Sequence, residues 1–549
     1  MNLQLPGTPY QQLLEAGIDE LADQQIISRI WDHDHTVWKP DPAEITNRLG
    51  WLTTAGRMKA ELPRLEGLAE EVHRAGLTKI LLLGMGGSSL APEVFSKVFN
   101  SGPVNLEVID STHPDYLRSV RESLSPEKTL FIVATKSGST VETLSFFNYF
   151  YRWMSSRVGE EKAGDHFIGI TDPGSKLVRL AEKYSFRDLF LNDPEIGGRY
   201  SVLSFFGLVP ASLLGIDVRG LLDQAEQMAA QCRMDPARGS NPGAALGNAL
   251  GILAANGRDK VTFFSSPELA SFPNWVEQLI AESTGKDGKG ILPVVGEPPG
   301  PVSSYSNDRL FVSLNLSGQH SFDSTLDALE KAGHPVIRIH LDQKSQLGGQ
   351  FFLWEMGTAV AGYHLGINPF DQPNVESAKK KAQKMVEVYQ QQHQLPAGKI
   401  NLPDARLLDS VFSAQIQPGS YLAVQAYLPP GEKMQTALHK FQGLLRDRYQ
   451  LAVTIGFGPR YLHSTGQLHK GDSGQGIFLQ LVSQPESDLD IPESAIQTSS
   501  SISFGTLIRA QALGDAQALE EGGRSVLIFD LGQDPLAALT KLTTEIRSL

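Results

Sequence analysis

The 549-residue chain contains a single cysteine, Cys232. One cysteine cannot form an intrachain disulfide or a cysteine-based metal cluster, which is typical of proteins from reducing compartments. Basic residues are also scarce, since 48 Lys and Arg stand against 61 Asp and Glu and leave a net charge of −13. This acidic balance argues against binding to nucleic acid or to an anionic membrane, so any phosphate site must be local.

Long apolar runs are missing as well. No stretch approaches the roughly 18 apolar residues that a membrane span needs. The start of the chain has neither the basic segment nor the apolar core of a signal peptide. We therefore expect a cytoplasmic protein. The hydrophobic fraction of 41% and the charged fraction of 20% are typical of folded globular proteins.

Short apolar runs alternate with helical stretches along two long segments of the chain. This alternation predicts buried parallel strands joined by helices, and therefore an α/β fold. The first segment has runs at 79–83, 106–110, 129–134 and 166–170. The second segment follows a helix-rich stretch and has runs at 260–265, 310–316 and 336–341.

The last 150 or so residues resemble part of the second segment. Residues 329–341 match 519–531 at an offset of 190, Val261-Thr262 matches Val453-Thr454 at 192, and Gly290-Ile291 matches Gly476-Ile477 at 186. The near-constant offset favours a partial duplication. The alternative is chance, because helix–glycine–strand units resemble one another in many proteins.

Changes in composition suggest four regions along the chain. The clearest boundary is the polar stretch 390–398, which contains proline and glycine and follows a charged helix. We expect a helical N-terminal region, two α/β domains and a C-terminal α/β partial repeat. The expected bounds are 1–75, 76–230, 231–395 and 396–549.

Two turns rich in glycine and hydroxyl groups follow predicted strands and open helices, at 84–89 and at 135–143. Such turns direct free backbone N–H groups and the positive end of a helix dipole at one point, which favours a phosphate monoester. Neither has the glycine spacing of a nucleotide P-loop or a dinucleotide-binding motif. Capped helix starts without a ligand are the alternative. The candidate binding residues are Gly87, Ser88, Lys136, Ser137, Ser139, Thr140 and Thr143.

Five motifs in one order make residues 80–385 resemble the glucose-6-phosphate isomerases. They are Gly-Gly-Ser at 86–88, the segment 135–143, Gly-Gly-Arg-Tyr-Ser at 197–201, Gln-Leu-Ile-Ala-Glu-Ser-Thr-Gly-Lys at 278–286, and the segment 366–379. The C-terminal region, with 458–470, resembles the isomerase half of bifunctional transaldolase/glucose-6-phosphate isomerases. The resemblance implies two sugar-isomerase domains, with parallel sheets flanked by helices, plus a C-terminal α/β domain that partly repeats the second.

The resemblance implies reversible isomerisation of glucose 6-phosphate and fructose 6-phosphate through a cis-enediol, in glycolysis and gluconeogenesis, without metal or cofactor. Such a reaction needs a carboxylate base, a cation beside the enediolate and an acid–base pair that opens the sugar ring. By the resemblance, Glu282 is the base, Arg199 the cation and Gln278 a substrate contact, while Lys379 helps to open the ring. A solvated glutamate and a structural ion pair are the alternatives for Glu282 and Arg199.

The ring-opening histidine departs from the family pattern. In the family it lies between the base and the lysine, in a His-x-x-x-Gln context and in a partner subunit, but residues 287–301 contain no histidine. His463 has that context and lies in the C-terminal repeat. We hypothesise that the duplication supplies His463 within one chain, so that a monomer is active, with a homodimer still open. His469 and His320 are the other candidates.

Two other functions stay open. A dual phosphoglucose/phosphomannose isomerase would need only small changes near the C2 carbon of the sugar. A non-catalytic regulatory protein on the same domains would also bind a sugar phosphate, which is the expected small-molecule partner in each case. Such a regulator has no need of Glu282, Arg199 and Lys379 together, so their joint presence argues against it.

Overall fold

The computed structural model describes residues 2–99, 102–236, 241–396 and 398–549, except for the side chains of 376–379. The fold is α/β, as the sequence predicts, with three five-stranded sheets flanked by helices. The strands are β1 (Asn2–Gln4), β2 (Lys79–Gly84), β3 (Asn105–Ile109), β4 (Thr129–Ala134), β5 (Phe167–Thr171), β6 (Asp188–Leu191), β7 (Lys260–Ser265), β8 (Leu292–Val294), β9 (Arg309–Leu316), β10 (Val336–Leu341), β11 (Ile400–Asn401), β12 (Tyr421–Tyr427), β13 (Ala452–Phe457), β14 (Gly476–Val482), β15 (Asp490–Ile491), β16 (Ile502–Ser503) and β17 (Ser525–Asp530).

The helices cover both faces of the sheets. In the described part of the chain, none combines the length and the apolar character needed to cross a membrane. The helices are α1 (Gln11–Asp23), α2 (Ile26–Trp31), α3 (Trp51–Met58), α4 (Leu62–Arg74), α5 (Leu90–Val98), α6 (Pro114–Glu122), α7 (Val141–Val158), α8 (Glu160–Ala163), α9 (Lys176–Lys183), α10 (Phe205–Leu213), α11 (Val218–Cys232), α12 (Pro242–Ala255), α13 (Phe272–Thr284), α14 (Asp323–Lys331), α15 (Leu347–Leu365), α16 (Val375–Gln392), α17 (Ala405–Ser413), α18 (Glu432–Tyr449), α19 (Gly466–Gly471), α20 (Phe504–Glu521) and α21 (Pro535–Ser548).

The first sheet has the order β3-β2-β4-β5-β6, and its strands are all parallel. All four apolar runs of the first segment form strands in it, and β4 is buried at every position. A strand with helices on both faces has no solvent side, so its residues are apolar without alternation. The sequence prediction missed β6, a four-residue strand that includes the exposed Leu191.

The second sheet has the order β1-β10-β9-β7-β8 and is parallel except for β1. The three apolar runs of the second segment form β7, β9 and β10. β1 corrects the expectation that residues 1–75 form only helices and connectors, because residues 2–4 pair antiparallel with the edge strand β10. Three residues are too few to show a strand period, and their pairing depends on a distant edge.

The third sheet has the order β11-β17-β14-β12-β13 and is also parallel. Its strands β12, β13, β14 and β17 have the same order as β7, β8, β9 and β10 of the second sheet. This shared order supports a repeat. The offset of 190 pairs equivalent strands, β10 and β17, whereas the offsets of 192 and 186 join segments at different positions in the two sheets. Those two sequence matches therefore do not align equivalent strands of the two sheets.

A buried ion triad joins the second and third sheets. Glu297 follows β8, and its carboxylate accepts a hydrogen bond from Arg309 of β9 at 3.1 Å. Arg446 of α18 brings a second guanidinium to 3.8 Å from the same carboxylate. Arg309 also donates to the Leu451 carbonyl at 3.1 Å, across the same junction. At most 2% of any of these three charged side chains is exposed. Arg446 also binds Asp447 at 2.7 Å, so Glu297 is the main counter-charge for Arg309 and a second one for Arg446.

We expect Glu297→Gln to lower the apparent free energy of unfolding by about 3–5 kcal/mol, because it leaves the buried Arg309 guanidinium without its carboxylate and Arg446 with Asp447 alone. Urea unfolding measures this change. Glu545→Gln is the matched control, since Glu545 faces Lys541 at 3.8 Å on the exposed side of α21. The control should shift stability by less than about 0.5 kcal/mol. Equal effects of the two substitutions would contradict a stabilising role for the triad.

Candidate active site

The two glycine- and hydroxyl-rich turns meet at one edge of the first sheet. β2 and β4 are neighbours, with Gly84 opposite Ala134 at their carboxyl ends. The chain after β2 forms a 3₁₀ turn at Gly86–Ser88 and enters α5. The chain after β4 enters α7, whose N-cap residue, Thr140, makes no side-chain cap hydrogen bond in the described structure. The first N–H groups of α7 therefore stay available to an anion at this edge.

Hydroxyl groups surround the start of α7. The Ser137 and Ser139 hydroxyl oxygens lie 2.8 Å apart and both residues are exposed. The Thr135 and Thr140 hydroxyl oxygens lie 3.0 Å apart. The buried Thr143 hydroxyl has no hydrogen-bond partner among the described residues. The turn thus presents several hydroxyl groups at a helix N-terminus, and the phosphate site that the sequence suggests there stays a prediction.

Lys136 lies in the same turn, but its ammonium group is already paired. It binds the carboxylate of Asp172 and donates to the Pro194 carbonyl at 3.1 Å. Burial raises the pKa of Asp172, and Lys136 opposes that rise. The geometry therefore gives Lys136 a role in holding the turn to the loops that follow β5 and β6.

The Gly86–Ser88 turn is the point where three other segments converge. A Cβ atom on Gly86 would lie 2.7 Å from the His463 carbonyl oxygen and 2.8 Å from Nε2 of Gln278. A Cβ atom on Gly87 would lie 2.1 Å from the Gly198 carbonyl oxygen. Both positions lack room for any side chain, which explains the two glycines. The neighbouring Ser88 is buried.

Glu282 lies in the last turn of α13 and is 5% exposed. Its Oε2 atom accepts a hydrogen bond from Nε2 of Gln278, one turn earlier, at 3.3 Å. The same atom lies 3.7 Å from Nη1 of Arg199. A buried carboxylate beside a cation and an amide donor has one fixed orientation, which is what a general base needs.

Arg199 is 3% exposed and is held from several sides. Its Nε atom donates to the Ser283 hydroxyl at 2.7 Å, and its Nη2 atom donates to the carbonyls of Pro369 and Asp371 at 2.7 and 3.0 Å. These neutral acceptors orient the guanidinium without cancelling its charge. The site therefore holds a fixed cation beside Glu282 that needs no rearrangement to meet a developing negative charge.

Lys286 is a second buried cation that the sequence prediction did not include among the site residues. Its ammonium group donates to the backbone carbonyl and to a carboxylate oxygen of Asp371, both at 2.6 Å. Burial, and then Arg199, lower the pKa of Lys286 to about 7, while Asp371 and Glu282 oppose that fall. The quoted motif 278–286 contained this lysine, but only the tertiary contact with Asp371 distinguishes it from a helix-end charge.

His463 lies in the same region, although it belongs to the C-terminal repeat. It ends a 3₁₀ turn at Arg460–His463, directly after β13. Its Nε2 atom lies 3.0 Å from Oε1 of Glu142 on α7, and its carbonyl accepts a hydrogen bond from Gln278 at 2.8 Å. Glu142 also accepts from Gln511 at 2.7 Å. Glu142 stood inside the segment 135–143 without a predicted role, because an acid in the first turn of a helix is ordinary.

Gln467 is the glutamine of the His-x-x-x-Gln pattern, and its side chain contacts two other segments of the site. Its Nε2 atom donates to the Gly285 carbonyl at 2.8 Å and to Oδ1 of Asn374 at 2.7 Å. Its Oε1 atom accepts from the Asn374 backbone N–H at 2.9 Å. Gln467 therefore joins the segment that bears His463 to the end of α13 and to the start of α16.

The other predicted site residues lie elsewhere or outside the described part. His469 is buried among aromatic rings, including that of Phe478, and burial lowers its pKa well below the usual value. His320 is exposed and pairs with Asp323 at 2.7 Å. The Lys379 side chain lies outside the described residues. Within those residues, no group of three or more His, Cys, Asp or Glu could hold a metal ion.

Comparisons with known proteins agree with the motifs. A family model described as phosphoglucose isomerase matches residues 66–322. A glucose-6-phosphate isomerase of Rubrobacter xylanophilus is 30% identical, over 57% of this chain and 83% of that relative. One from Thermus thermophilus is 28% identical, over 68% and 96%. The matched model ends before the third sheet and therefore does not include His463.

Solved structures share the fold. A glucose-6-phosphate isomerase from Chlamydia trachomatis has a TM-score of 0.59 at 19% identity, over 73% of this chain and 89% of that one. A hypothetical protein from Thermus thermophilus has a TM-score of 0.60 at 24% identity, over 70% and 99%. At these identities the likeness concerns the fold alone, and it confirms the predicted α/β class.

We expect Gly87→Ala to lower the apparent free energy of unfolding by about 1–3 kcal/mol, because the new methyl group must displace the backbone at Gly198. Gly198→Ala is the matched control on the other side of the same contact. A Cβ atom there has nothing within 4 Å, so its effect should stay within about 0.5 kcal/mol. Urea unfolding compares the two variants. A stable Gly87→Ala protein would show that the turn is not a close contact.

Proposed function

The chain belongs to the glucose-6-phosphate isomerase family, and we propose on this premise that it interconverts glucose 6-phosphate and fructose 6-phosphate. The observation that carries the proposal is the convergence of Glu282, Arg199 and the His463–Glu142 pair around the Gly86–Ser88 turn. A base, a cation and an acid–base pair are the three groups that isomerisation of a cyclic aldose phosphate requires.

Glu282 would transfer the proton. Its carboxylate removes the proton from C2 of the open-chain aldose and returns it to C1, with a cis-enediol between the two steps. Gln278 donates to Oε2 of Glu282, while its own Oε1 atom is buried without a hydrogen-bond partner among the described residues. That oxygen is available to accept a hydrogen bond from a sugar hydroxyl, which would orient C1 and C2 toward Glu282.

Arg199 would stabilise the enediolate oxygen. Its four nearest polar groups hold the guanidinium in place, and three of them are neutral. Because the guanidinium is buried, its attraction for the enediolate oxygen would be strong, since charges interact more strongly where water is excluded. The phosphate would bind at the start of α7, where Ser137, Ser139 and Thr140 surround free N–H groups.

His463 would open the ring, with Glu142 as its carboxylate partner at 3.0 Å. A carboxylate on one imidazole nitrogen orients the ring, so that its other nitrogen can exchange a proton with the ring oxygen of the sugar. In the described structure, neither His469 nor His320 has a carboxylate partner in this region. The resemblance also assigns ring opening to Lys379, and that assignment stays a prediction.

We expect Glu282→Gln to reduce turnover at least 100-fold, because an amide cannot accept the C2 proton. NMR of glucose 6-phosphate in heavy water measures it. The native protein should form fructose 6-phosphate with deuterium at C1 and, on reversal, place deuterium at C2 of glucose 6-phosphate. Mannose 6-phosphate among the products would identify the dual isomerase.

Glu330→Gln, on the exposed face of α14, is the matched control and should leave turnover unchanged. If the native protein binds the sugar phosphate but leaves it unchanged, the regulatory alternative is correct. If it does not bind the sugar phosphate, the phosphate site at α7 is wrong.

We also expect a single chain to be active, because Glu282, Arg199, Glu142 and His463 all come from one chain in this arrangement. The measurement is specific activity over a dilution series, with the mass in solution followed by analytical ultracentrifugation. Specific activity should stay constant at concentrations where only monomer sediments. A loss of activity that parallels dissociation of a dimer would refute the expectation.

A further inference from the structure

We propose that Arg460 is a positioning residue for His463, and that its ion pairs with Glu93 and Asp110 hold the turn that bears His463 against the first sheet. The inference rests on the proposed ring-opening role of His463. It gives a role to a residue of the segment 458–470 that had none in the sequence analysis, and that contacts neither Glu282 nor Arg199 in the described structure.

The ion pairs of Arg460 cross between two parts of the fold. Arg460 opens the 3₁₀ turn after β13 of the third sheet. Its Nη1 atom lies 3.0 Å from Oδ2 of Asp110, directly after β3, and its Nη2 atom binds Oε2 of Glu93 on α5. Lys97 holds the other oxygen of Glu93 at 2.5 Å. The two carboxylates thus belong to the first sheet and its helix, while the guanidinium belongs to the segment of His463.

The charges of this cluster depend on one another. Burial acts to raise the pKa of Glu93, but Arg460 and Lys97 bring it down to about 2. Burial raises the pKa of Asp110 to about 6, against the effect of Arg460. Burial acts to lower the pKa of Arg460, and the two carboxylates outweigh it and raise that pKa. A neutral side chain at position 460 would leave two partly buried acids close together without their shared cation.

The turn is anchored within the C-terminal region by the buried Tyr461, whose hydroxyl donates to Asp515 of α20 at 2.6 Å and lies 2.8 Å from that of Tyr427 on β12. It follows β13, which is an edge strand paired only with β12 in the described structure. Its local backbone hydrogen bonds are Leu462 N–H to the Pro459 carbonyl at 2.9 Å and Ser464 N–H to the Tyr461 carbonyl at 3.0 Å. The position of the His463 ring therefore depends on side-chain contacts with other elements.

Those contacts come from separate elements of the fold. Gln278 of α13 donates to the His463 carbonyl at 2.8 Å. Arg460 binds Glu93 of α5 and Asp110 after β3. The His463 ring itself meets Glu142 of α7 at 3.0 Å. Loss of the Arg460 contacts would release the start of the turn from the first sheet, and a displacement of about 1 Å at a reacting group can cost on the order of 100-fold in rate.

The test separates ring opening from proton transfer. Glucose 6-phosphate requires both steps. The 4,5-dideoxy analogue of glucose 6-phosphate lacks the hydroxyls that close a five- or six-membered ring, so its C2 proton exchange in heavy water needs Glu282 but not His463. Arg460→Gln should lower turnover of glucose 6-phosphate about 10- to 100-fold and leave exchange on the analogue within about 2-fold.

A double-substitution cycle shows whether Arg460 acts through His463. His463→Ala should lower turnover of glucose 6-phosphate more than Arg460→Gln does, and the combined variant should be no slower than His463→Ala alone. Arg460→Lys, which keeps the charge but not the two-pronged geometry, should recover part of the loss. Arg448→Gln is the matched control, because Arg448 of α18 pairs with Asp409 of α17 at 2.8 Å, away from the site. This substitution should leave both rates unchanged.

The possible failures are distinguishable. If His463→Ala leaves turnover of glucose 6-phosphate unchanged, the proposed role of His463 is wrong. If His463→Ala is slow but the two losses multiply in the combined variant, Arg460 does not act through His463 and the inference is wrong. Equal slowing of both substrates by Arg460→Gln and Arg460→Lys would also overturn it, since general unfolding does not discriminate between the two steps.

Discussion

The close packing at the Gly86–Ser88 turn is the constraint on which the rest of the site depends. Gly198, Gln278 and His463 approach this turn so closely that neither Gly86 nor Gly87 could carry a Cβ atom. These segments come from different parts of the chain, and each brings a functional side chain or its neighbour. The backbone contact therefore sets the distances among the candidate base, cation and histidine before any ligand binds.

The cations in and around the site differ in whether their acceptors are neutral or charged. Neutral oxygens orient Arg199, so its charge stays available to a developing anion, whereas Lys286 is neutralised by Asp371. Lys136 is likewise paired with Asp172. The cations that hold loops and the candidate catalytic cation, Arg199, thus differ in their acceptors and not in the sign of their charge. Burial strengthens both kinds of interaction, because less water screens them.

The third sheet extends this arrangement to a distant part of the chain. Its strand order repeats that of the second sheet, and the turn after its edge strand β13 reaches α7 of the first sheet. The Arg309–Glu297–Arg446 triad fixes the second sheet to the third, and Arg460 connects the third sheet to the first. Because β13 lies at the edge of the third sheet, the turn that follows it can reach the first sheet. His463 therefore lies beside Glu142, which is more than 300 positions away in the chain.

The sequence by itself determined the α/β class, seven of the ten strands in the first two sheets and the five motifs, because these depend on local apolar runs and short spacings. It also singled out His463 through Gln467. Only the tertiary structure decided the rest: that residues 2–4 form a strand, that Glu142 is the partner of His463, and that Lys286 and Lys136 are paired. Strand pairing at a distant edge and the partner of a buried charge are contacts between remote residues, so no local pattern records them.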